Sequence, residues 1–305
     1  MPKSAILFGQ AANLVRCNGN YDMKIARFDN SGRPEIGLIV DGCIIPMNDH
    51  GLGDDMVTLI SNWDKYKSGL EERAKNTELA VPLDKASLLA PIARPGKILA
   101  IGLNYGDHIA ETGLDKPEQQ LWFAKMGSSA QPPFADVQLP KASTQVDYEA
   151  EMVAVIGKGG RHIPAETARD HVFGYCVGND VSARDWQMSS PQWLLGKSFD
   201  THAPFGPWIT TDDAVEDPHG LDIQCLVNGE LRQSSNTRHL IFQLWEQISH
   251  LSKAMTLEPG DLIFSGTPGG VGVAMKPPHF LNAGDVVKCE IGTLGAIENR
   301  FMPES

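Results

Sequence analysis

Residues 147–156 read Asp-Tyr-Glu-Ala-Glu-Met-Val-Ala-Val-Ile, and this segment decides the fold. The part from Tyr148 to Ile156 begins with alternating apolar and charged side chains and ends in β-branched residues, a pattern that predicts a strand. Because successive side chains of a strand point to opposite faces, Asp147, Glu149 and Glu151 should share one face. Carboxylates this close repel one another, and a divalent cation bound by their oxygens would offset that repulsion.

A second strand is predicted for residues 172–177, shortly before Asp180. If this strand lies beside the first, Asp180 supplies a third carboxylate to the same place. The alternative is a solvent-facing strand edge with an aspartate in the next loop, since Glu-x-Glu is common on exposed strands. The spacing alone leaves both interpretations open, and the other motifs have to decide between them.

The composition is that of an ordinary soluble globular protein. The chain has 305 residues, of which 42% are hydrophobic and 21% charged, which is enough for a large catalytic domain and a smaller one. Its net charge is −12 and it has no block of basic residues, so we expect no binding to nucleic acid or to anionic membrane surfaces. No apolar run approaches the roughly 18 residues of a membrane span. A small anionic substrate would need a local positive charge, from a metal ion or from buried lysine and arginine.

The cysteine pattern indicates reduced thiols. The five cysteines are scattered, odd in number and never spaced as Cys-x-x-Cys, which argues against a disulfide framework and against a zinc site. The apolar run at residues 5–8 is too short for the core of a signal peptide. These features predict a cytoplasmic protein.

Three parts of the chain are expected. Residues 1–22 form a loose N-terminal extension, residues 23–92 a small α+β domain that serves as a scaffold, and residues 93–305 the catalytic domain. The sequence also predicts hairpins at 37–46 and 221–233, helices at 56–63 and 70–76, and a helix with an apolar stripe from 240 to 251 that Asn236 or Thr237 would cap.

His108 and Glu111 follow directly after a predicted strand at residues 97–101. On a short helix, residues three apart share a face, and a carboxylate beside an imidazole suits a general base that activates water. A surface pair is the alternative, and His-x-x-Glu alone would favour it. The position after a strand, at the mouth of a glycine-rich loop, favours a functional site.

Two lysines and a second glycine-rich loop add to the candidate site. Lys125 stands among apolar residues, and Lys197 lies in a Gly-Lys-Ser triplet. A phosphate-binding P-loop is excluded because Pro191 occupies the position of its first glycine. Lys197 is therefore interpreted as a buried cation that stabilises an oxyanion, with an ordinary surface lysine as the alternative. Residues 265–272 offer backbone N–H groups that could bind a carboxylate.

Taken together, five segments in this order resemble the fumarylacetoacetate hydrolase superfamily over about residues 97–301. Each segment is weakly diagnostic alone, whereas the ordered set is specific. The segments are Gly-Leu-Asn-Tyr-Gly-Asp-His-Ile-Ala-Glu (102–111), Asp-Tyr-Glu-Ala-Glu (147–151), Gly-Asn-Asp-Val-Ser-Ala-Arg-Asp-Trp-Gln (178–187), Gly-Lys-Ser-Phe-Asp (196–200) and Ser-Gly-Thr-Pro-Gly-Gly-Val-Gly (265–272).

The resemblance implies an α+β, mainly β fold, with a mixed β-sandwich roll as catalytic domain and a small N-terminal α+β domain. It also implies a homodimer, and Mg2+ or Mn2+ as cofactor, with Ca2+ in some members. The implied metal ligands are Glu149, Glu151 and Asp180; the catalytic residues are His108, Glu111 and Lys197; and the substrate contacts are Gln187, Thr267, Arg184 and Lys125. Gly106 stands where relatives often carry an arginine, so one contact to the far end of the substrate is missing.

Three functions follow from these residues. The first hypothesis is metal-dependent hydrolysis of a carbon–carbon bond in a 1,3-diketo acid of the acylpyruvate type, with water activated by His108 and Glu111. The second keeps the same metal chelate of a small anionic 2-oxo acid but makes the protein an oxaloacetate-type decarboxylase, an isomerase or a hydratase. The third is a metal-free, non-catalytic binding protein that has kept the fold.

Overall fold

The computed structural model describes residues 23–47, 52–75, 80–107, 111 and 117–305. The predicted extension at 1–22 and the predicted base His108 lie outside these residues. Within them, no helix has the length and apolar character needed to cross a membrane. The α-helices are α1 (Met56–Ser61), α2 (Trp63–Arg73), α3 (Arg184–Met188) and α4 (Leu244–Ala254).

Strands dominate the described residues. In chain order they are β1 (Lys24–Asp29), β2 (Pro34–Val40), β3 (Cys43–Pro46), β4 (Val81–Pro82), β5 (Ser87–Leu89), β6 (Ile98–Gly102), β7 (Leu121–Lys125), β8 (Ala130–Gln131), β9 (Val137–Leu139), β10 (Val146–Asp147), β11 (Ala150–Ile156), β12 (Val172–Asn179), β13 (Ser182–Ala183), β14 (Ala203–Thr211), β15 (Asp222–Val227), β16 (Glu230–Asn236), β17 (Leu262–Phe264), β18 (Val286–Ile291) and β19 (Gly295–Pro303).

A twelve-stranded mixed sheet runs through the molecule in the order β4-β3-β2-β1-β14-β12-β11-β17-β6-β7, with β5 paired to β1 and β8 to β14. A five-stranded sheet has the order β16-β15-β18-β19-β9, and β10 pairs with β13. Neither large sheet closes into a barrel. The predicted α+β, mainly β fold is confirmed. Because β1 pairs with β14, the N-terminal strands continue the large sheet, and the division at residue 92 stays a prediction.

Strand β11 lies at the centre of the core because both of its faces are buried. Met152, Ala154 and Ile156 point into a core shared with the five-stranded sheet and α4. Val153 and Val155 point into a second core, which contains residues of β1, β2, α1 and α2. Each such side chain taken fully out of water contributes about 1.5–3 kcal/mol, so this strand is held rigidly in place.

Several predicted elements have shifted boundaries. The predicted strand from Tyr148 begins only at Ala150, and the second N-terminal helix begins at Trp63 rather than at residue 70. The capping prediction for the amphipathic helix was wrong, because α4 begins at Leu244 and a capping box of Gln243 and Glu246 closes its N-terminus. Asn236 instead caps a short 3-10 helix, Thr237–His239.

Candidate metal centre

The acidic residues meet because two antiparallel strands are in register at their ends. Ala150, the first residue of β11, pairs with Asn179, the last residue of β12. Glu149 and Asp180 therefore lie side by side just outside the ladder, where the N–H of Asp180 donates to the carbonyl of Glu149 at 2.9 Å. The next residue of β11, Glu151, completes the group.

Glu149, Glu151 and Asp180 form a buried cluster in which one carboxylate oxygen of each lies within 4.8 Å of the others. Their exposed fractions are 5%, 1% and 0%, so the interpretation as a solvent-facing strand edge is excluded. Asp147 does not belong to this cluster, since the strand is interrupted between β10 and β11 and the predicted alternation does not carry across the break.

Three buried cations surround the cluster. The ammonium of Lys197 donates to Glu149 at 2.7 Å and to Asp180 at 2.8 Å. Lys125 donates to the other oxygen of Asp180 at 2.5 Å. Arg184 lies 2.7 Å from Glu149. The prediction that Lys197 is a buried cation agrees with this placement.

The ionisation of the site reflects this crowding. Burial, together with the charges of Asp180 and Glu149, raises the pKa of Glu151 well above its ordinary value. Burial would lower the pKa of Lys197, but the two neighbouring carboxylates raise it above its usual range. Burial lowers the pKa of Lys125 despite the favourable charge of Asp180.

The donor set fits a hard divalent cation. It consists of carboxylate oxygens from Glu149, Glu151 and Asp180, the ligand type that Mg2+ and Mn2+ prefer. Counting Asp147, four buried carboxylates face three buried cations, so the site carries one negative charge in excess when all are ionised. A doubly charged ion would convert this into one positive charge in excess.

The glycine-rich loop at 265–273 supports the site through its backbone. Its N–H groups were expected to bind a carboxylate, and five of them donate to carboxylates of the protein itself. The pairs are Gly266 to Glu151 (2.7 Å), Gly269 to Asp107 (3.3 Å), Gly270 to Glu111 (2.7 Å), Gly272 to Asp147 (2.8 Å) and Val273 to Asp147 (3.0 Å).

The remaining predicted site residues are placed as follows. Glu111 is exposed and bonded to the glycine-rich loop, and its pairing with His108 lies outside the described residues. Gln187 accepts from Arg184 at 2.9 Å. Thr267 donates to the carbonyl of Ala150 at 2.9 Å. Contacts of these side chains with substrate stay predictions.

Sequence reasoning missed two features of the site. The first is Gln233 on β16, a fully buried side chain that accepts from the N–H of Ala150 at 2.9 Å and donates to Thr267 at 2.9 Å. The second is an aromatic wall, in which the Phe123 ring lies 4.9 Å from the Lys197 ammonium and 5.6 Å from the Trp193 ring. Neither has a local signal, because both depend on segments of the chain that meet only after folding.

Comparison with known proteins identifies the group to which this architecture belongs. Residues 97–302 match the model of the fumarylacetoacetate hydrolase C-terminal domain. The mitochondrial oxaloacetate tautomerase of Xenopus laevis is 45% identical over 285 residues, covering 91% of this chain and 89% of that protein. A human mitochondrial oxaloacetate tautomerase is 43% identical over 290 residues, 92% of each chain.

A solved structure extends the comparison. Maleylpyruvate hydrolase from Sphingobium, in complex with manganese(II) and pyruvate, superposes with a TM-score of 0.79 at 32% identity, covering 93% of this chain and 100% of that one. Its bound ion agrees with the divalent metal that the acidic cluster suggests.

The names of the relatives correct one prediction. A cytoplasmic location was expected, and this was wrong, because the similar tautomerases are named as mitochondrial. Unpaired thiols indicate a reducing compartment, but they do not single out the cytosol. The family model matches two thirds of this chain, and the relatives align with nearly all of it. The chain therefore belongs to the fumarylacetoacetate hydrolase family.

Proposed function

We propose that the protein is a metal-dependent enzyme that interconverts the keto and enol forms of oxaloacetate or a closely related small 2-oxo acid. The observation that carries the proposal is the buried acidic cluster with Asp147 and three cations, a group that becomes positive by one charge when all are ionised and a divalent ion is added. Such a site suits a small anion. Relatives at 43–45% identity named as oxaloacetate tautomerases support this choice of substrate.

Each residue of the site has a role in this proposal. Glu149, Glu151 and Asp180 would hold the divalent ion, which when bound polarises the 2-oxo carbonyl as a Lewis acid. Lys197, kept protonated between Glu149 and Asp180, stabilises the negative charge that develops on the substrate oxygen. Moving a proton between C3 and that oxygen needs an acid–base group, and the predicted pair of His108 and Glu111 is our candidate for it.

The test is to add purified protein with Mn2+ or Mg2+ to enol-oxaloacetate and to follow the loss of the enol ultraviolet absorbance together with CO2 release. We expect the absorbance to fall faster than in protein-free buffer, without matching CO2, and Asp180→Asn to abolish the acceleration. Asp170→Asn, at an exposed aspartate outside the five motifs, is the matched control and should behave as wild type. Loss of enol at the protein-free rate, or stoichiometric CO2, would reject tautomerisation.

Hydrolysis of a carbon–carbon bond in an acylpyruvate is the second candidate. It is favoured by the similarity to the maleylpyruvate hydrolase that binds manganese and pyruvate. Here His108 would activate water, and the same site would stabilise the enolate that leaves. Release of a second carboxylic acid from an acylpyruvate, absent in the Asp180→Asn variant, would support this reaction over tautomerisation.

Two further properties belong to the proposal. The names of the relatives support a mitochondrial location, which imaging of a tagged full-length protein would test. A homodimer, expected from the resemblance to the family, would be tested by the mass of the purified protein in solution.

A further inference from the structure

Arg184 joins two acidic residues that have different roles. Its Nε and Nη2 lie 2.9 Å and 2.8 Å from the same oxygen of Asp147, and its Nη1 lies 2.7 Å from Glu149. All three residues are almost fully buried, with exposed fractions of 6%, 0% and 5%. The planar guanidinium therefore bridges a carboxylate outside the acidic cluster and one of the cluster's own members.

Asp147 is itself held in one orientation by the backbone. One carboxylate oxygen accepts from the N–H of Tyr148 at 2.9 Å and of Gly272 at 2.8 Å. The other accepts from the N–H of Val273 at 3.0 Å, in addition to the two contacts with Arg184. A carboxylate with this many donors has little freedom to rotate, so it provides a fixed anchor for the guanidinium.

The anchoring loop also contacts the rest of the site. Within residues 265–273, Gly266 donates to Glu151 and Gly270 donates to Glu111. A Cβ atom at Gly272 would overlap the carbonyl oxygen of His279 and lie 2.7 Å from Asp147, so the loop can pack between them only with glycine there. The loop therefore contacts Glu151 directly, and it is connected to Glu149 through Asp147 and Arg184.

We propose that Asp147 and Arg184 are positioning residues that fix the metal ligand Glu149 relative to the glycine-rich loop, and so set the affinity of the metal site. This inference rests on the metal site of the proposed function. Groups that orient a metal ligand typically change metal affinity by about 10–100-fold when they are removed. A purely structural ion pair would lower stability and leave metal affinity unchanged.

The test measures the Mn2+ dissociation constant of the purified full-length protein, from the electron paramagnetic resonance signal of free Mn2+. The decisive variant is Arg184→Lys, because it keeps the positive charge but cannot bridge Asp147 and Glu149 at once. We expect its dissociation constant to rise by about 10-fold or more. Asp147→Asn, which removes the anchor and keeps the side-chain shape, should weaken Mn2+ binding as well.

Matched controls come from a second arginine–aspartate pair. Arg169 lies 3.0 Å from Asp212 and is 42% exposed in its side chain, so Arg169→Lys and Asp212→Asn should bind Mn2+ as wild type does. Failure of the wild-type protein to bind Mn2+ would reject the metal site itself and, with it, this proposal. Wild-type binding combined with an unchanged dissociation constant in Arg184→Lys would overturn the proposal and leave the metal site standing. If neither site variant retained the wild-type circular dichroism spectrum, the pair would be a requirement of the fold, and the proposal would also be overturned.

Discussion

Lys197 is the side chain on which the charge balance of the acidic cluster most depends. It is 2% exposed and bonded to both Glu149 and Asp180. Replacing it by methionine leaves buried carboxylate charge without its partner, which typically costs about 3–5 kcal/mol. We therefore expect Lys197→Met to lower the free energy of unfolding of the metal-free protein by about 3 kcal/mol.

Urea denaturation in the presence of a chelator measures this loss. Lys67→Met is the control, because its ion pair with Asp213 is about one third exposed and should contribute less than about 1 kcal/mol. Added Mn2+ should recover part of the loss in Lys197→Met, since the ion replaces the missing positive charge. Equal losses in the two variants would contradict the assignment of Lys197.

Glu151 makes the stability of the metal-free protein depend on pH. Burial and the charges of Asp180 and Glu149 raise the pKa of its carboxyl above the ordinary value of 4.5. The unfolded chain loses this proton near the ordinary value, whereas the folded chain keeps it to higher pH. Stability therefore falls as pH rises above about 4.5, until the folded carboxyl also ionises.

Comparing wild type with Glu151→Gln isolates this effect, because the amide does not titrate. With metal removed, we expect the wild type to lose stability relative to the variant as the pH rises from 4.5 towards neutral. The loss begins at 4.5 because this is the ordinary pKa of the carboxyl in the unfolded chain. Thermal unfolding at several pH values measures the difference. If the wild type became more stable relative to the variant over this pH range, the Glu151 carboxyl would not be held protonated.

The spacing of the acidic residues, together with the accompanying motifs, predicted the acidic cluster but not the partners of its side chains. Glu149 directly precedes β11, Glu151 lies on it and Asp180 follows β12, so local patterns place the three residues close together. Arg184 and Lys125 form ion pairs with the acidic residues that were not predicted, and their expected contacts with substrate stay predictions. Their pairing depends on how segments far apart in the sequence pack, which no local pattern contains.

Among the elements, the glycine-rich loop makes a prediction through Gly266. This residue has φ = +107°, a Cβ there would lie 2.7 Å from the Cβ of Asn104, and its N–H donates to Glu151. Gly266→Ala should destabilise the protein by about 2–3 kcal/mol and weaken Mn2+ binding. Chemical denaturation and a Mn2+ titration measure the two effects.

Gly229→Ala separates backbone strain from contact. Gly229 also has a positive φ, +81°, but an added Cβ would meet no atom within 4 Å. Its replacement should cost only the conformational strain, about 1 kcal/mol, and leave Mn2+ binding unchanged. If the two alanine variants were equally stable, the close approach of the loop to Asn104 would have no energetic consequence.

The elements themselves were largely predictable because their patterns are local. Alternation identified β11, and a strand-like run identified β12. Asp-Gly and Asn-Gly turns identified the hairpins, and the apolar stripe identified α4. Boundaries were less accurate where side-chain contacts outside the segment decide them. Strand β11 begins at Ala150, where the side chain of Gln233, from another sheet, accepts from the N–H of that residue.

For the whole molecule, a ligand that binds only the folded state must stabilise it. At a free Mn2+ concentration about 100 times the dissociation constant, the gain is about 2.7 kcal/mol. Thermal unfolding with and without Mn2+ should show this stabilisation in the wild type. In Asp180→Asn, most of the stabilisation by Mn2+ should be absent. An unfolding temperature that Mn2+ does not change would favour the non-catalytic hypothesis, in which the fold is kept without a metal.

The fold and the family could be predicted from the sequence because five motifs occur in the order that the family requires, and the comparisons confirm both. The reaction could not be chosen from the sequence, since the proposed hydrolysis and tautomerisation would use the same metal chelate and the same acid–base candidates. Phe123 and Trp193, whose rings lie 5.6 Å apart, come from separate segments of the chain and meet only in the folded protein. The compartment was predicted wrongly because thiol chemistry does not distinguish reducing compartments.

The most direct test of the central claim is a crystal structure of the protein grown with Mn2+, with anomalous scattering recorded to locate the ion. The account predicts one strong anomalous peak coordinated by oxygens of Glu149, Glu151 and Asp180. A well-ordered cluster with no peak, or a peak bound elsewhere in the molecule, would contradict it.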